Sequence, residues 1–309
     1  MKNNVLAVAI IFAAATTSVN AANLVEKDGF IYELNGDIQI QLQKDSGKDQ
    51  HLYVNYDSLE FENKVAYEVA EDFTVLGVLG FDFDDAANGD KNQNSAALKD
   101  ALIGFESSNI SLSVGRQDYA SDEFGIAEDY EMDSDDVAFD ETDGDNVILL
   151  NFNLNKIKLM LSTDLQAKDK DNEGEQSFDA FASVEIEQLE LAASYQNREV
   201  EVDGDTFNTY GVSALYDAGF ATFAVDYSES EDTMKVYNFA TTFGVTDLTK
   251  VALGFVNNKP ESEESVNEWY ANITYEFSKF DDVNLFAEIS NTDAEDAQIA
   301  YVVGAEIKF

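Results

Sequence analysis

From about residue 30 to the end, short segments alternate apolar and polar residues with period two, the mark of a β-strand with one apolar face. Trp269, Ala271, Ile273, Tyr275 and Phe277 share one face, and Tyr270, Asn272, Thr274 and Glu276 the other. Val283, Leu285, Ala287 and Ile289 stand opposite Asn284, Glu288 and Ser290. In the last segment Ile299, Tyr301, Val303, Ala305, Ile307 and Phe309 stand opposite Gln298, Glu306 and Lys308. The pattern predicts sixteen strands, near 31–43, 51–69, 73–83, 97–106, 110–116, 146–153, 156–164, 177–186, 189–199, 206–216, 220–228, 233–244, 249–257, 265–277, 282–291 and 297–309. Short connections such as Ala70-Glu71-Asp72 and Glu187-Gln188 alternate with long polar ones such as 84–96 and 167–176. Hairpins inserted into a membrane from one side produce that alternation.

The pattern alone fits a soluble sandwich or a membrane barrel. The barrel is favoured because polar faces carry ionisable groups on nearly every strand, as a wet lumen requires. Aromatic residues recur near strand ends, where interfacial girdles sit. A closed barrel also leaves no edge to protect. Sixteen strands enclose a lumen too wide for side chains to fill.

Residues 1–21 read differently. Lys2, the apolar run Val5 to Ala15 and Val19-Asn20-Ala21 fit a signal peptide cleaved after Ala21, leaving 22–309 as the barrel. The run is too short for a spanning helix, which needs about 20 apolar residues.

Charge and composition narrow the function. Asp and Glu number 62 against 18 Lys and Arg, a net charge of −44, which excludes a nucleic-acid partner. There is no cysteine, hence no disulfide or thiolate metal site. His51 is the single histidine, and no nucleophile can be assigned to it. No catalytic residue, cofactor or metal centre is expected. Asp169-Lys170-Asp171-Asn172-Glu173-Gly174 starts like a calcium loop but has Ala180 where the bidentate Glu belongs. Weak divalent binding by acidic external loops is the favoured reading there. Trp269 and the alternating tyrosines lie on the apolar face and read as a girdle.

The whole of 22–309 resembles a general (non-specific) Gram-negative outer-membrane porin. The resemblance rests on the last strand ending in Phe309, on Leu112-Ser113-Val114-Gly115-Arg116-Gln117-Asp118-Tyr119, and on Glu123-Phe124-Gly125. It implies a homotrimer of multi-pass sixteen-stranded antiparallel β-barrels in the outer membrane, in contact with lipid and lipopolysaccharide. It also implies a long third loop folded into each lumen as a constriction. In that family the last strand, here with Tyr301 and Phe309, is the signal read by the assembly machinery.

The connection from Gln117 to Asp145 contains thirteen acids and no Lys or Arg. The resemblance makes Asp118, Asp122, Glu123, Glu128 and Asp129 candidates for the loop side of the constriction. The wall side would carry Asp37 from the first strand, Glu60, Glu62 and Lys64 from the second, and Asp82 from the third. The family commonly sets a basic wall against the acidic loop; here, of the matched positions, Arg116 alone stays basic. Strict alternation from Ile110, Leu112 and Val114 points Arg116 to lipid, but an inward Arg116 is the favoured reading, with the strand already ended or a bulge at Gly115 turning it inward; the alternative is a snorkelling interfacial arginine. An acidic wall and an acidic loop together imply a diffusion channel for small hydrophilic solutes that prefers cations. The alternatives are a substrate-selective channel and, in another class, a barrel serving as adhesin or envelope anchor.

Overall fold

A computed structural model describes residues 22–89, 95–125, 137–139, 141–165, 168–169, 172–173, 176–199, 206–278 and 280–309. The strands are β1 (Ala22–Lys27), β2 (Phe30–Lys44), β3 (Tyr53–Ala70), β4 (Phe73–Asp82), β5 (Ala97–Ser107), β6 (Ile110–Asp118), β7 (Asp143–Leu154) and β8 (Ile157–Asp164). A two-residue pair follows, β9 (Lys168–Asp169) with β10 (Asn172–Glu173). Then come β11 (Ser177–Ile186), β12 (Leu189–Glu199), β13 (Thr206–Asp217), β14 (Thr222–Ser230), β15 (Met234–Thr246), β16 (Thr249–Pro260), β17 (Val266–Phe277), β18 (Phe280–Thr292) and β19 (Ala300–Lys308).

Sixteen of these form one closed antiparallel barrel: β2 to β8 and β11 to β19, each hydrogen-bonded to the next. β8 joins β11 directly, and β19 closes on β2 with Lys308 opposite Asp37 and Tyr301 opposite Lys44. Phe309 extends that seam by exchanging backbone hydrogen bonds of 2.8 and 3.0 Å with Gly36. All sixteen expected strands are present, most with ends within two residues of the expected ones. The alternation was not sensitive to β1, which pairs back onto β2 through the Asp28-Gly29 turn. Nor did it foresee α1 (Asp84–Asn88) in the connection after β4.

Burial is inverted relative to a soluble protein. The exposed parity carries Ile103, Val114, Val212, Leu253, Ile273 and Val303; the buried parity carries Gln41, Asp179, Ser194, Gln196, Ser228 and Glu288. An apolar exterior around a polar interior is what a barrel in hydrocarbon requires, because its backbone groups are satisfied within the ladder. Aromatic rings pair on the outer face near the short turns, Phe30 with Tyr67 at 5.0 Å and Phe73 with Phe105 at 6.4 Å. At the opposite end Tyr227 lies 4.9 Å from Tyr237, and Trp269 is on the exposed face as expected. Among the described residues no helix is long and apolar enough to cross a membrane.

Candidate permeation site

The inner faces of β2 to β6 border a cavity of about 610 Å³. Register builds its wall. Asp37, Glu60 and Asp82 lie side by side on β2, β3 and β4. Like charges directly opposite repel, and basic residues and amides are placed against them. Lys99 Nζ stands 2.6 Å from Glu60, and Lys308 stands 3.8 Å from Asp37 and 2.6 Å from Glu306. Lys64 faces Glu33 at 3.5 Å, and Asn35 Nδ2 donates to Glu62 at 2.7 Å.

Lys99 and Asp100 were not legible as wall residues. The β4–β5 register shifts between Leu79–Ala101 and Phe81–Leu98, and both consecutive residues line the cavity. A bulge is what allows two neighbours to share a face. Gly80 leaves the room, since a Cβ there would stand 2.5 Å from Asp100 Oδ2. Carboxylate oxygens of Glu60, Asp82 and Asp84 all come within 4.8 Å of one another. Lys99 already occupies Glu60, so it competes with any cation there. The Asp84 carboxyl is pushed up to about 7, first by burial and then by Asp82.

The opposite boundary comes from the connection after β6. A 3₁₀ turn (Ala120–Glu123) presents Asp122 and Glu123 to the cavity, together with Asp118 from the end of β6. Its neighbours reach inner-face groups of the following strands. Tyr119 donates to Asp164 at 3.0 Å, and the Ala120 N–H donates to Ser162 Oγ at 2.8 Å. The Ala138 N–H donates to Ser228 Oγ at 2.8 Å. Glu123 pairs with Lys158, and Glu141 with Arg198. Phe124 and Phe139, 5.2 Å apart, join Val147, Leu149, Met160 and Phe181 in one apolar cluster. Phe124 lies flat on Gly211, where a Cβ would meet its ring at 2.4 Å. Burial pushes the Glu123 carboxyl up while Lys158 pulls it down, and burial remains the larger effect.

The structure thus brings Asp37, Glu60, Glu62, Lys64, Asp118, Asp122 and Glu123 to one cavity, with Asp82 on the same inner parity beside Glu60. Glu128 and Asp129 lie outside the described residues. The inward Arg116 is corrected. Arg116 is directly opposite Ala101, on the parity of Val114 and Ile103, and so leaves from the outer face. Gly115 does sit at an irregularity, with φ +141° and a register shift toward β7. The shift does not reverse the parity of β6. Gln117 remains inside at 4 % exposure, and the Arg116 guanidinium pairs with Asp143 and Asp145. Ion pairing near the strand end reduces the cost of an outward charge.

Tyr301 is exposed on the outer face, and Phe309 covers Gly36 beside Phe61, its ring 5.9 Å away. His51 sits exposed in the connection before β3. Part of the Asp169–Gly174 segment lies outside the described residues.

Carboxylates gathered around one cavity raise the local concentration of cations and repel anions. The family model described as Gram-negative porin matches residues 7–297. The chain is 22% identical over 338 aligned residues to Porin-like protein H of Photobacterium profundum, covering all of both chains. In-vitro folded OmpT, an outer membrane protein of Vibrio cholerae in its trimer form, superposes with TM-score 0.72 at 14% identity, covering 91% of this chain and 100% of that one. An anion-selective porin from Comamonas acidovorans superposes with TM-score 0.74 at 11% identity, again over 91% and 100%.

Proposed function

The chain belongs to the Gram-negative porin family, forming an outer-membrane channel, and we propose that it passes small hydrophilic solutes with a preference for cations. The observation that carries this reading is the lining of the cavity: nine carboxylates against three lysines, Lys64, Lys99 and Lys308. Each lysine already has an acidic partner within 4 Å, so the uncompensated charge facing a solute is negative. The fold does not set that sign, since an anion-selective porin shares it.

In this reading the connection between β6 and β7 is the third loop, folded into the lumen, with Asp118, Asp122 and Glu123 as its pore-facing acids. Glu128 and Asp129 belong to the same proposal. The contacts of Ala120 with Ser162 and of Ala138 with Ser228 support it. A homotrimer is the proposed assembly, in keeping with the trimer form of the Vibrio cholerae neighbour. Residues 1–21 are proposed to be removed on export, and Tyr301 and Phe309 to form the assembly signal.

The test is the reversal potential of purified protein in a planar bilayer under a tenfold KCl gradient. A cation-preferring channel drives it toward the potassium limit. Equal permeability of potassium and chloride in dilute salt overturns the preference and leaves the channel.

A further inference from the structure

Asp179 on β11 and Gln196 on β12 are directly opposed in register and both point into the barrel. They are 0 % and 3 % exposed. Asp179 Oδ1 accepts from Ser121 Oγ at 2.7 Å and from Gln196 Nε2 at 2.8 Å, while Oδ2 accepts from Ser177. Gln196 Nε2 also reaches the Glu141 carbonyl at 2.8 Å and Ser121 Oγ at 3.1 Å. An amide nitrogen has two hydrogens, so the longer contact to Ser121 is the shared one. Ser121 lies on the limb that leaves β6, and Glu141 on the limb that returns to β7. One cross-strand pair therefore holds both limbs.

We propose that Asp179 and Gln196 act as a clasp on the third loop, positioning residues that fix where the constriction stands and how steadily it conducts. The apolar cluster around Phe124 and Phe139 holds the loop without direction and permits sliding. Hydrogen bonds are directional, so those converging on Asp179 set a register. Without the clasp each limb keeps its own contacts, to Ser162 and Lys158 on one side and to Arg198 on the other, but the two are no longer tied to one point of the wall, and the current through the passage fluctuates.

This inference rests on the reading of the third loop as the constriction, and the experiment separates the two. Single-channel currents are recorded for Gln196→Leu and for Ser121→Ala, which deletes one hydroxyl outside the barrel strands. Both variants are expected to show brief closures several-fold more often than the parent, with an unchanged reversal potential. A general loss of structure would move both readouts. Currents as quiet as the parent's in both variants overturn the clasp. Should Gln196→Leu fail to fold, Ser121→Ala decides alone. The chain has no cysteine, so Asp122→Cys can be modified with a bulky charged thiol reagent as a separate arm. If modification leaves the current unchanged, the constriction reading falls and the clasp with it. If it reduces the current while Ser121→Ala is quiet, the clasp alone falls.

Discussion

Replacing Asp37, Asp100, Asp118 and Asp122 by asparagine, and Glu62 and Glu106 by glutamine, removes six of the nine carboxylates that line the cavity. Those left are Glu33, Glu60 and Glu123, which are paired with Lys64, Lys99 and Lys158. The parent lining carries an excess of six negative groups in about 610 Å³; the variant carries none. Six charges in that volume amount to roughly 16 M of fixed charge, a field that concentrates counter-ions. Even if repulsion and burial leave one group in six ionised, about 2–3 M remains, well above a dilute bath. The cavity is roughly 8 Å across, inside one Debye length of about 10 Å at 0.1 M but well beyond the 3 Å found at 1 M. The parent in a gradient of about 0.03 to about 0.3 M KCl is therefore expected to approach the limit of roughly 59 mV per decade for a monovalent ion. The variant should fall most of the way to zero, and concentrated salt should weaken the parent in the same direction. A variant that keeps the parent's potential would refute the reasoning, because ions would then be passing elsewhere.

Four further outcomes follow from named contacts. Gly115→Ala places a Cβ 2.2 Å from the Ala101 carbonyl at φ +141°; backbone strain alone costs about 1–3 kcal/mol, and a lower midpoint of barrel unfolding is expected. Arg116→Met should leave the reversal potential unchanged, since Arg116 keeps the outward parity of β6 and its guanidinium is taken up by Asp143 and Asp145; a clear change would restore the inward placement. Lys158→Met strands the buried Glu123 carboxylate, and breaking a buried pair costs about 3–5 kcal/mol. Because burial holds Glu123 above the ordinary range, its contribution is present at low pH and lost as pH rises through the raised value. Channel closures in that variant should become more frequent as pH increases, and the opposite trend counts against the assignment. Asp84 is raised to about 7, so its contribution to seating α1 on β3, where Asn88 Nδ2 donates to the Tyr56 carbonyl at 2.9 Å, is present below about pH 4 and lost through about pH 7. Protease cleavage in the connection after β4 should rise over that window in the parent and stay flat in Asp84→Asn.

The sequence determined the strands because lipid and water impose opposite demands on alternate residues. Ile103, Val212 and Ile273 face out and Asp179, Gln196 and Glu288 face in, and that contrast is written at period two. It also determined the acidity of the connection after β6, and it placed Asp37, Glu60, Glu62 and Lys64 on the inner parity. Parity holds only while the ladder is regular. The register shift beside Gly80 brought Lys99 and Asp100 inside together, and no local pattern announces such a shift. At Gly115 the reverse occurred: an irregularity is present, yet Arg116 keeps the outward parity that simple alternation gives it. What only the tertiary structure decided is which distant strand each part of the loop meets. Glu123 finds Lys158, Glu141 finds Arg198, and Asp179 holds Ser121. Alternation records which side of a strand a residue is on; which residues meet across the lumen is set by barrel closure, through the register of β19 on β2 and of β8 on β11.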